Sequence, residues 1–413
     1  MNVKSVLVVS DSARIDGGAA KVAIDTAKAM ARRGLDVEFF AGGTEADDEL
    51  ATEARVTLTG ASALGDGRRT VGKAIRGIRN ADARARFERV LARYSPASTV
   101  VHFHSWGSRL SPAVFSPARR AGFGTVITAH DYLLGCPNAC RYKFPLQESC
   151  DIAPGSLRCV AENCDRASRA AKTVRLGRYV AQRSALDGLR PTVVYVSDFQ
   201  RARVDHFLSF EHRSYVVSNP IEAPGASGSY QGEAGPFLFA GRLEAEKGAD
   251  VFCEALATSG VPGAVVGDGT LRDDLSTRFP GIPFLGWRSA GELREDMLRS
   301  RALVFPSRWF EAAPLTPVEA QLAAALPCIV SDACAARDSV EDGVTGLHFR
   351  SGDSEDLARC LRTLSDPEVH LRMRRNIESR RGETTARHSL TAYVDNLLPI
   401  YDEAIAAGGS VAA

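Results

Sequence analysis

The sequence has no long apolar run and no excess of charge of one sign. No stretch approaches the roughly 18 consecutive apolar residues of a membrane-spanning helix, so we expect none. Lysine and arginine number 51 and aspartate and glutamate 50, which gives a formal net charge of +1. This balance excludes a globally basic nucleic-acid-binding protein, and we expect no nucleic acid among the partners. The 413 residues are 45% hydrophobic and 24% charged, which excludes a disordered or fibrous chain.

Short cofactor-binding fingerprints are also missing. The sequence contains neither the Gly-x-Gly-x-x-Gly pattern of dinucleotide-binding proteins nor a Walker sequence that ends in Gly-Lys-Ser/Thr. The apolar segment 1–10 is too short, and Asp11 follows it too soon, for a secretory signal. We therefore interpret this segment as the first buried strand of a cytoplasmic protein.

The pattern that is present is a short β-branched apolar run followed by a helical stretch, repeated along the chain. Such alternation predicts parallel sheets built with right-handed crossovers. The predicted strands are Val6–Ser10, Val37–Ala41, Val100–His104, Thr125–Thr128, Val193–Ser197, Tyr215–Ser218, Phe237–Ala240, Ala264–Val266, Pro283–Leu285, Ala302–Phe305 and Cys328–Ser331.

The length and a segment rich in glycine, serine and proline divide the chain. Since domains usually hold about 100–150 residues, the chain is too long for one core, and residues 223–236 have the composition of a linker. We predict an α/β fold with two doubly wound Rossmann-like domains that face each other across a cleft, over residues 1–222 and 223–389. The segment 390–413 is predicted as a helix that packs back on the first domain.

Residues that directly follow strands are the candidates for chemistry, because ligands of open parallel sheets lie outside the carboxyl ends of the strands. After the first strand, Gly17 and Gly18 open a helix, where bare backbone N–H groups can bind an anion. A plain glycine turn is the alternative. His130 follows a later strand beside Asp131 and is a candidate, although a lone histidine is usually structural.

Two cations follow the first strand of the second domain. Arg242 and Lys247 stand on one loop, and a planar guanidinium with a mobile ammonium suits a diphosphate. The alternative is a solvated loop in which Glu244 and Glu246 are their salt-bridge partners.

Two carboxylates follow another strand of that domain. Glu311 comes after the strand, and Glu319 lies in the first turn of a helix predicted to start near Pro317, where an acid is ordinary helix-entry chemistry. The functional alternative is that both carboxylates accept paired hydrogen bonds from hydroxyls, one from a sugar and one from a ribose.

In this order and spacing, the motifs resemble the retaining glycosyltransferases of family 4, which have the two-domain GT-B fold. The resemblance spans most of the chain, with one departure, since the run Ala323–Pro327 lacks the glycine that the family usually has before the proline. The segments that carry it are Gly17-Gly18-Ala-Ala-Lys, Thr128-Ala-His130-Asp, Asn219-Pro220, Gly241-Arg242-Leu-x-x-Glu-Lys247-Gly248, Gly267-Asp-Gly269-x-Leu and Glu311-x7-Glu319.

This resemblance implies a transferase that moves a sugar, with retention, from a nucleoside-diphosphate sugar to a glycan or lipid-linked acceptor, in bacterial polysaccharide assembly. It implies that cations and glycine amides hold the diphosphate, that Glu319 binds the ribose and that Glu311 binds the transferred sugar. The implied donor-binding residues are Gly17, Gly18, Arg242, Lys247, Leu315 and Glu319, and the implied catalytic residues are His130 and Glu311.

The implied reaction is a front-face displacement through an oxocarbenium-like ion pair. Because no Asp-x-Asp occurs in the chain, no metal cofactor is required on this interpretation. The alternatives are a nucleotide-sugar epimerase of the same fold and a non-catalytic sugar-nucleotide-binding module.

Five of the nine cysteines fall within residues 136–164, in a segment that resembles an insertion of some bacterial family members. Four thiolates can close a structural zinc site, but the spacing lacks a Cys-x2-Cys pair, so free or disulfide-paired cysteines are the alternative. The four that match the insertion are Cys136, Cys150, Cys159 and Cys164, and Cys140 is extra.

Two segments of the first domain are rich in cations. Residues 66–93 hold nine Lys and Arg against three acids, and residues 166–183 are similar. Such runs are typical of solvated helix faces. The alternative is a peripheral contact with anionic lipid on the inner face of the cell membrane.

Overall fold

The computed structural model describes residues 2–66, 70–221 and 229–408. The predicted domain boundary at 222–223, residues 223–228 of the predicted linker and residues 409–413 of the C-terminal segment lie outside the described residues. Among the described helices, none is long and apolar enough to cross a membrane.

Seven parallel strands form the first sheet, in the order β3-β2-β1-β4-β5-β8-β9. These strands are β1 (Ser5–Ser10), β2 (Asp36–Ala41), β3 (Arg55–Leu58), β4 (Thr99–Phe103), β5 (Gly124–Ala129), β8 (Thr192–Tyr195) and β9 (Arg213–Val216), and a small hairpin pairs β6 (Tyr142–Lys143) with β7 (Glu148–Ser149). Apolar clusters cover both faces of the sheet, which explains why a central strand such as β1 has a continuous apolar run and does not alternate.

Six parallel strands form the second sheet, in the order β12-β11-β10-β13-β14-β15. These strands are β10 (Phe237–Ala240), β11 (Gly263–Val266), β12 (Phe284–Gly286), β13 (Ala302–Phe305), β14 (Cys328–Ser331) and β15 (Gly346–Phe349). In both sheets the chain winds outward from a central strand in both directions, as predicted. The edge strands β3 and β15 are not among the predicted strands.

Helices cover the faces of both sheets. Those before the second sheet are α1 (Gly18–Arg32), α2 (Asp48–Glu53), α3 (Val71–Ile78), α4 (Ala81–Leu91), α5 (Phe115–Arg120), α6 (Leu157–Ala161), α7 (Arg169–Leu186) and α8 (Asp198–Val204). Those that follow are α9 (Ala249–Ser259), α10 (Arg272–Arg278), α11 (Ala290–Leu298), α12 (Thr316–Ala324), α13 (Ala336–Ser339), α14 (Ser354–Ser365), α15 (Pro367–Arg387) and α16 (Leu390–Gly408).

The last helix, α16, leaves the second sheet and packs on the first. Its apolar side chains join the cluster formed by β1 and α1. Tyr401 makes a buried hydrogen bond of 2.7 Å with His102 Nδ1 on β4. A Cβ added to Gly124 would lie 2.5 Å from the Ala404 carbonyl carbon, so β5 and α16 approach closely at this glycine.

Candidate functional site

The loop after β10 and the loop after β13 meet at one ion pair. Lys247 donates from Nζ to Glu311 Oε1 and lies over the Trp309 ring, 5.1 Å from its centroid. Ser307 Oγ lies 3.2 Å from the same Glu311 oxygen. Gly248 has a φ of +73°, and a Cβ there would lie 2.1 Å from the Pro306 carbonyl oxygen, so glycine lets the two loops approach.

A pocket of about 210 Å³ opens beside this ion pair. Lys247, Glu311 and Leu315 all line it, so the structure brings three of the predicted residues together. Gly241 and Thr316 also line it, at the carboxyl end of β10 and at the start of α12. The pocket therefore lies at the edge of the second sheet where ligands of such sheets bind.

Glu246 lies beneath the predicted cations and is 3% exposed. Arg166, from the first domain, donates to its Oε1, and Arg242 Nη2 lies 3.9 Å from the same atom. Glu246 is thus an ion-pair partner of Arg242, as the alternative has it, but its carboxylate is buried. The side chain of Arg242 is 58% exposed, so its guanidinium is free to reach a ligand in solvent.

Glu319 lies one turn into α12 and is largely buried, with a pKa raised above its usual value by that burial. The charge of Lys21, on α1 of the first domain, opposes this shift. The start of α1 therefore lies near the start of α12. A Cβ added at Gly17 or Gly18 would meet no atom of the described chain within 4 Å, so the glycine backbone at this helix start is open.

His130 follows β5, is partly buried and lies against the buried imidazole of His104, which is next to that of His102. Its Nε2 lies 2.9 Å from His104 Nδ1, and the two rings are stacked at an interplanar angle of 19°. Burial lowers the pKa of His130 to about 4 and that of His102 to about 3, so both rings are neutral at pH 7. Burial also lowers the pKa of His104. In the neutral pair of His130 and His104, one ring donates and the other accepts the hydrogen bond, which fixes the orientation of His130.

The segment after β13, residues 306–315, also contacts the first domain. Ala312 belongs to the apolar cluster of the first sheet, and its carbonyl accepts a hydrogen bond from Ser197 Oγ. The Phe310 ring lies 6.4 Å from the ring of Tyr132, two residues after His130. The structure thus brings the segment that carries Glu311 against the segment that follows β5.

The cysteine-rich insertion contacts the same region, which the sequence did not predict. Ser149 Oγ donates to the Arg308 carbonyl at 3.2 Å, and Arg166, just past the last cysteine, reaches Glu246. A signal was available in the sequence, because the insertion directly follows His130 and Asp131 at the end of β5.

The four cysteines of the predicted pattern line one small cavity, and Cys140 does not. The buried Lys172 donates to the carbonyls of Cys159 and Glu162, and its Nζ lies 3.2 Å from Cys164 Sγ. All five thiols are free. In the described ranges no three Cys, His, Asp or Glu side chains are arranged to hold a metal ion, so the donor atoms suit zinc by type but not by placement.

Comparisons with known proteins place both halves of the chain in one enzyme class. Residues 16–223 match the family model described as Glycosyltransferase Family 4, and residues 231–380 match Glycosyl transferases group 1. A glycogen synthase of Xanthomonas campestris is 31% identical over 218 residues, which are 48% of this chain and 45% of that protein. An alpha-D-kanosaminyltransferase of Streptomyces kanamyceticus is 29% identical over 180 residues, 40% of this chain and 45% of that protein. The chain thus spans about half the length of these curated relatives.

Solved structures agree on the fold. The sucrose-phosphate synthase of Thermosynechococcus elongatus superposes with a TM-score of 0.70 at 17% identity, over 98% of this chain and 100% of that one. Anabaena HepE in complex with UDP and glucose superposes with a TM-score of 0.63 at 17% identity, over 96% and 99%. The predicted fold and enzyme class are confirmed. The chain belongs to glycosyltransferase family 4 and has the GT-B fold.

Proposed function

We propose that this enzyme transfers a sugar from a nucleoside-diphosphate sugar to a glycan or lipid-linked acceptor, with retention of anomeric configuration and without a catalytic metal. The observation that carries the proposal is the Lys247–Glu311 ion pair at the wall of a pocket on the carboxyl edge of the second sheet. The complex of Anabaena HepE with UDP and glucose supports the choice of donor class.

The donor diphosphate binds where positive charge from both domains converges. Lys247 and the exposed guanidinium of Arg242 supply it from the second domain, and the amides at Gly17 and Gly18 supply it from the first. When the bond from the anomeric carbon to the diphosphate breaks, negative charge grows on the leaving oxygen. Cations that are already in place stabilise this charge without reorganisation.

The two carboxylates bind hydroxyls, as their positions suggest. Glu311 is held by Lys247 and Ser307, so its carboxylate is oriented before the sugar arrives. Glu319, one turn into α12, binds the ribose. The neutral ring of His130 hydrogen-bonds the donor sugar beside the reacting carbon, and the acceptor oxygen attacks on the face from which the diphosphate departs. The proton of the acceptor hydroxyl passes to an oxygen of the departing diphosphate.

A donor panel with product analysis tests this proposal. A nucleoside-diphosphate sugar should raise the melting temperature, because a ligand of the native state stabilises it. Its consumption should require an acceptor, and the product should keep the anomeric configuration of the donor by NMR. Turnover of donor alone to a stereoisomer would identify an epimerase, and donor binding with no turnover in any acceptor extract would identify a binding module.

A second proposal concerns the membrane. On α3, Val71 and Ile75 are 77% and 59% exposed, and on the neighbouring α7, Val180 is 65% exposed. Exposed apolar side chains on cationic helices are typical of peripheral contact with anionic lipid. Co-sedimentation with vesicles that contain phosphatidylglycerol, but not with pure phosphatidylcholine vesicles, is the expected result. Equal recovery with both would contradict the contact.

A further inference from the structure

A second, larger cavity of about 340 Å³ lies in the first domain, between α3 and α7. Each helix turns one face toward it, because the lining residues recur at the i, i+3, i+4, i+7 spacing of a helical face. The lining residues from α3 and its N-cap are Thr70, Lys73, Ala74 and Gly77, and those from α7 are Ala171, Val174, Arg175 and Arg178.

The composition of these two faces is unusual for a helix pair. Facing positions usually carry large apolar side chains that fill the space between helices. Here they carry small residues and three cations, so space remains. The helices still approach each other closely at one point, since a Cβ added to Gly177 would lie 3.0 Å from Ile78 Cδ1. The cavity therefore lies within a packed helix pair and is not a gap between separated helices.

The wall of the cavity is positively charged. Lys73, Arg175 and Arg178 line it, and no Asp or Glu is among the described lining residues. Arg178 is 8% exposed, and it donates from Nη1 to the Gly107 carbonyl at 2.6 Å, while its Nε has no hydrogen-bond partner in the described chain. Arg175 forms an ion pair with Asp165 through Nε at 2.7 Å, and its side chain is 37% exposed, so its guanidinium can reach a ligand.

The other lining residues place the cavity at the same edge of the first sheet as His130. Gly107 and Ser108 line it, and the Ser108 N–H donates to Asp11 Oδ2 at 2.6 Å. Asp11 directly follows β1, so the cavity lies at the carboxyl edge of the first sheet, where His130 also lies. Leu64 and Val174 supply an apolar surface beside the cations.

We propose that this cavity binds a phosphate group of the acceptor, with the apolar wall against the group that the phosphate esterifies. The proposal rests on the proposed function and names the class of its acceptor. A phosphate ester fits because guanidinium groups bind phosphate oxygens through paired, charge-assisted hydrogen bonds. Lipid phosphates and sugar phosphates share this chemistry.

Calorimetric titration of the full chain with three probes tests the proposal: geranyl phosphate, glucose 1-phosphate and inorganic phosphate, with geraniol as the uncharged control. An ester should bind, and Arg175→Gln or Lys73→Gln should weaken it about tenfold or more, since each removes a charge-assisted contact. Arg169→Gln and Arg76→Gln remove one charge each from exposed positions on the same helices and should leave the affinity unchanged.

The probes also separate the sources of the phosphate. Tighter binding of geranyl phosphate supports a lipid phosphate acceptor, and tighter binding of glucose 1-phosphate supports a sugar phosphate acceptor. Equal affinity of geraniol and geranyl phosphate would overturn the proposal, as would inorganic phosphate that binds as tightly as both esters, or pocket variants that match their controls.

UDP affinity, measured in the same samples, distinguishes a failure of this inference from a failure of the proposed function. Arg175→Gln and Lys73→Gln should bind UDP as the wild type does, because neither residue lines the pocket beside Lys247. If the wild type binds a phosphate ester but no nucleoside diphosphate, the proposed donor is wrong and the cavity assignment stands. Loss of UDP binding in Arg175→Gln, whose side chain is paired with the buried Asp165, would indicate misfolding, and Lys73→Gln, whose side chain is not paired with a buried acid, then decides the test.

Discussion

Replacement of Lys247 by methionine separates the structural and catalytic parts of the Lys247–Glu311 pair. The side chains are 17% and 14% exposed, so the change leaves a largely buried carboxylate whose remaining side-chain partner is Ser307. Breaking a fully buried pair costs about 3–5 kcal/mol, and partial solvent access reduces this to about 2 kcal/mol here. Loss of one preorganised donor at the leaving diphosphate should lower the transfer rate about 100- to 1,000-fold.

The double variant Lys247→Met/Glu311→Gln provides the decisive comparison. It removes the unpaired charge, so urea unfolding should show most of the lost stability restored. Its transfer rate should stay as low as that of the single variant, because the cation is still absent. Lys4→Met, at an exposed position before β1, is the control. A single variant with near-normal transfer, or a double variant that regains activity, would refute the reasoning.

Four further predictions concern other parts of the chain. Burial raises the pKa of Glu319, so the free energy of unfolding should fall as pH rises from about 4.5 through that raised pKa. Glu319→Gln should flatten this pH dependence in unfolding curves, and it should abolish donor binding. Since burial lowers the pKa of His130 to about 4, the wild-type transfer rate should show no ionisation of this ring between pH 6 and 8, and His130→Gln should lower the rate equally across that range. Tyr401→Phe removes the buried hydrogen bond to His102 and should lower the free energy of unfolding by about 1 kcal/mol, as measured in urea. Elemental analysis of purified protein tests the zinc alternative at Cys136–Cys164: because the described thiols are not placed to hold a metal ion, we expect less than stoichiometric zinc, and one zinc per chain would contradict the free-thiol alternative.

The sequence predicted most of the fold because both sheets are buried on both faces. Strands such as β10 and β13 are then uninterrupted apolar runs, which are easy to recognise. The edge strand β3 begins with an exposed arginine and has only half-buried residues after it, so its apolar signal is weak. Edge strands of this kind are stabilised by one neighbour and by tertiary contacts that a local pattern does not contain.

The sequence predicted which loops carry the residues of the candidate site, but not the contacts that these residues make with the other domain. Lys247, Glu311 and Leu315 could be placed near each other, because carboxyl ends of parallel strands meet at one edge of a sheet. The pairing of Glu246 with Arg166 could not be predicted, since Arg166 lies in the other domain, just past the cysteine-rich insertion. Contacts between residues 80 positions apart leave no trace in local spacing.

The most direct test of the account is the affinity for a nucleoside diphosphate compared with that for the corresponding monophosphate. We predict that UDP, or the diphosphate of the base that the donor panel identifies, binds at least about tenfold more tightly than the monophosphate, which corresponds to about 1.4 kcal/mol. The difference should disappear in Lys247→Met. Equal affinities in the wild-type protein, or a preference that survives the loss of Lys247, would contradict the claim that this site holds a diphosphate.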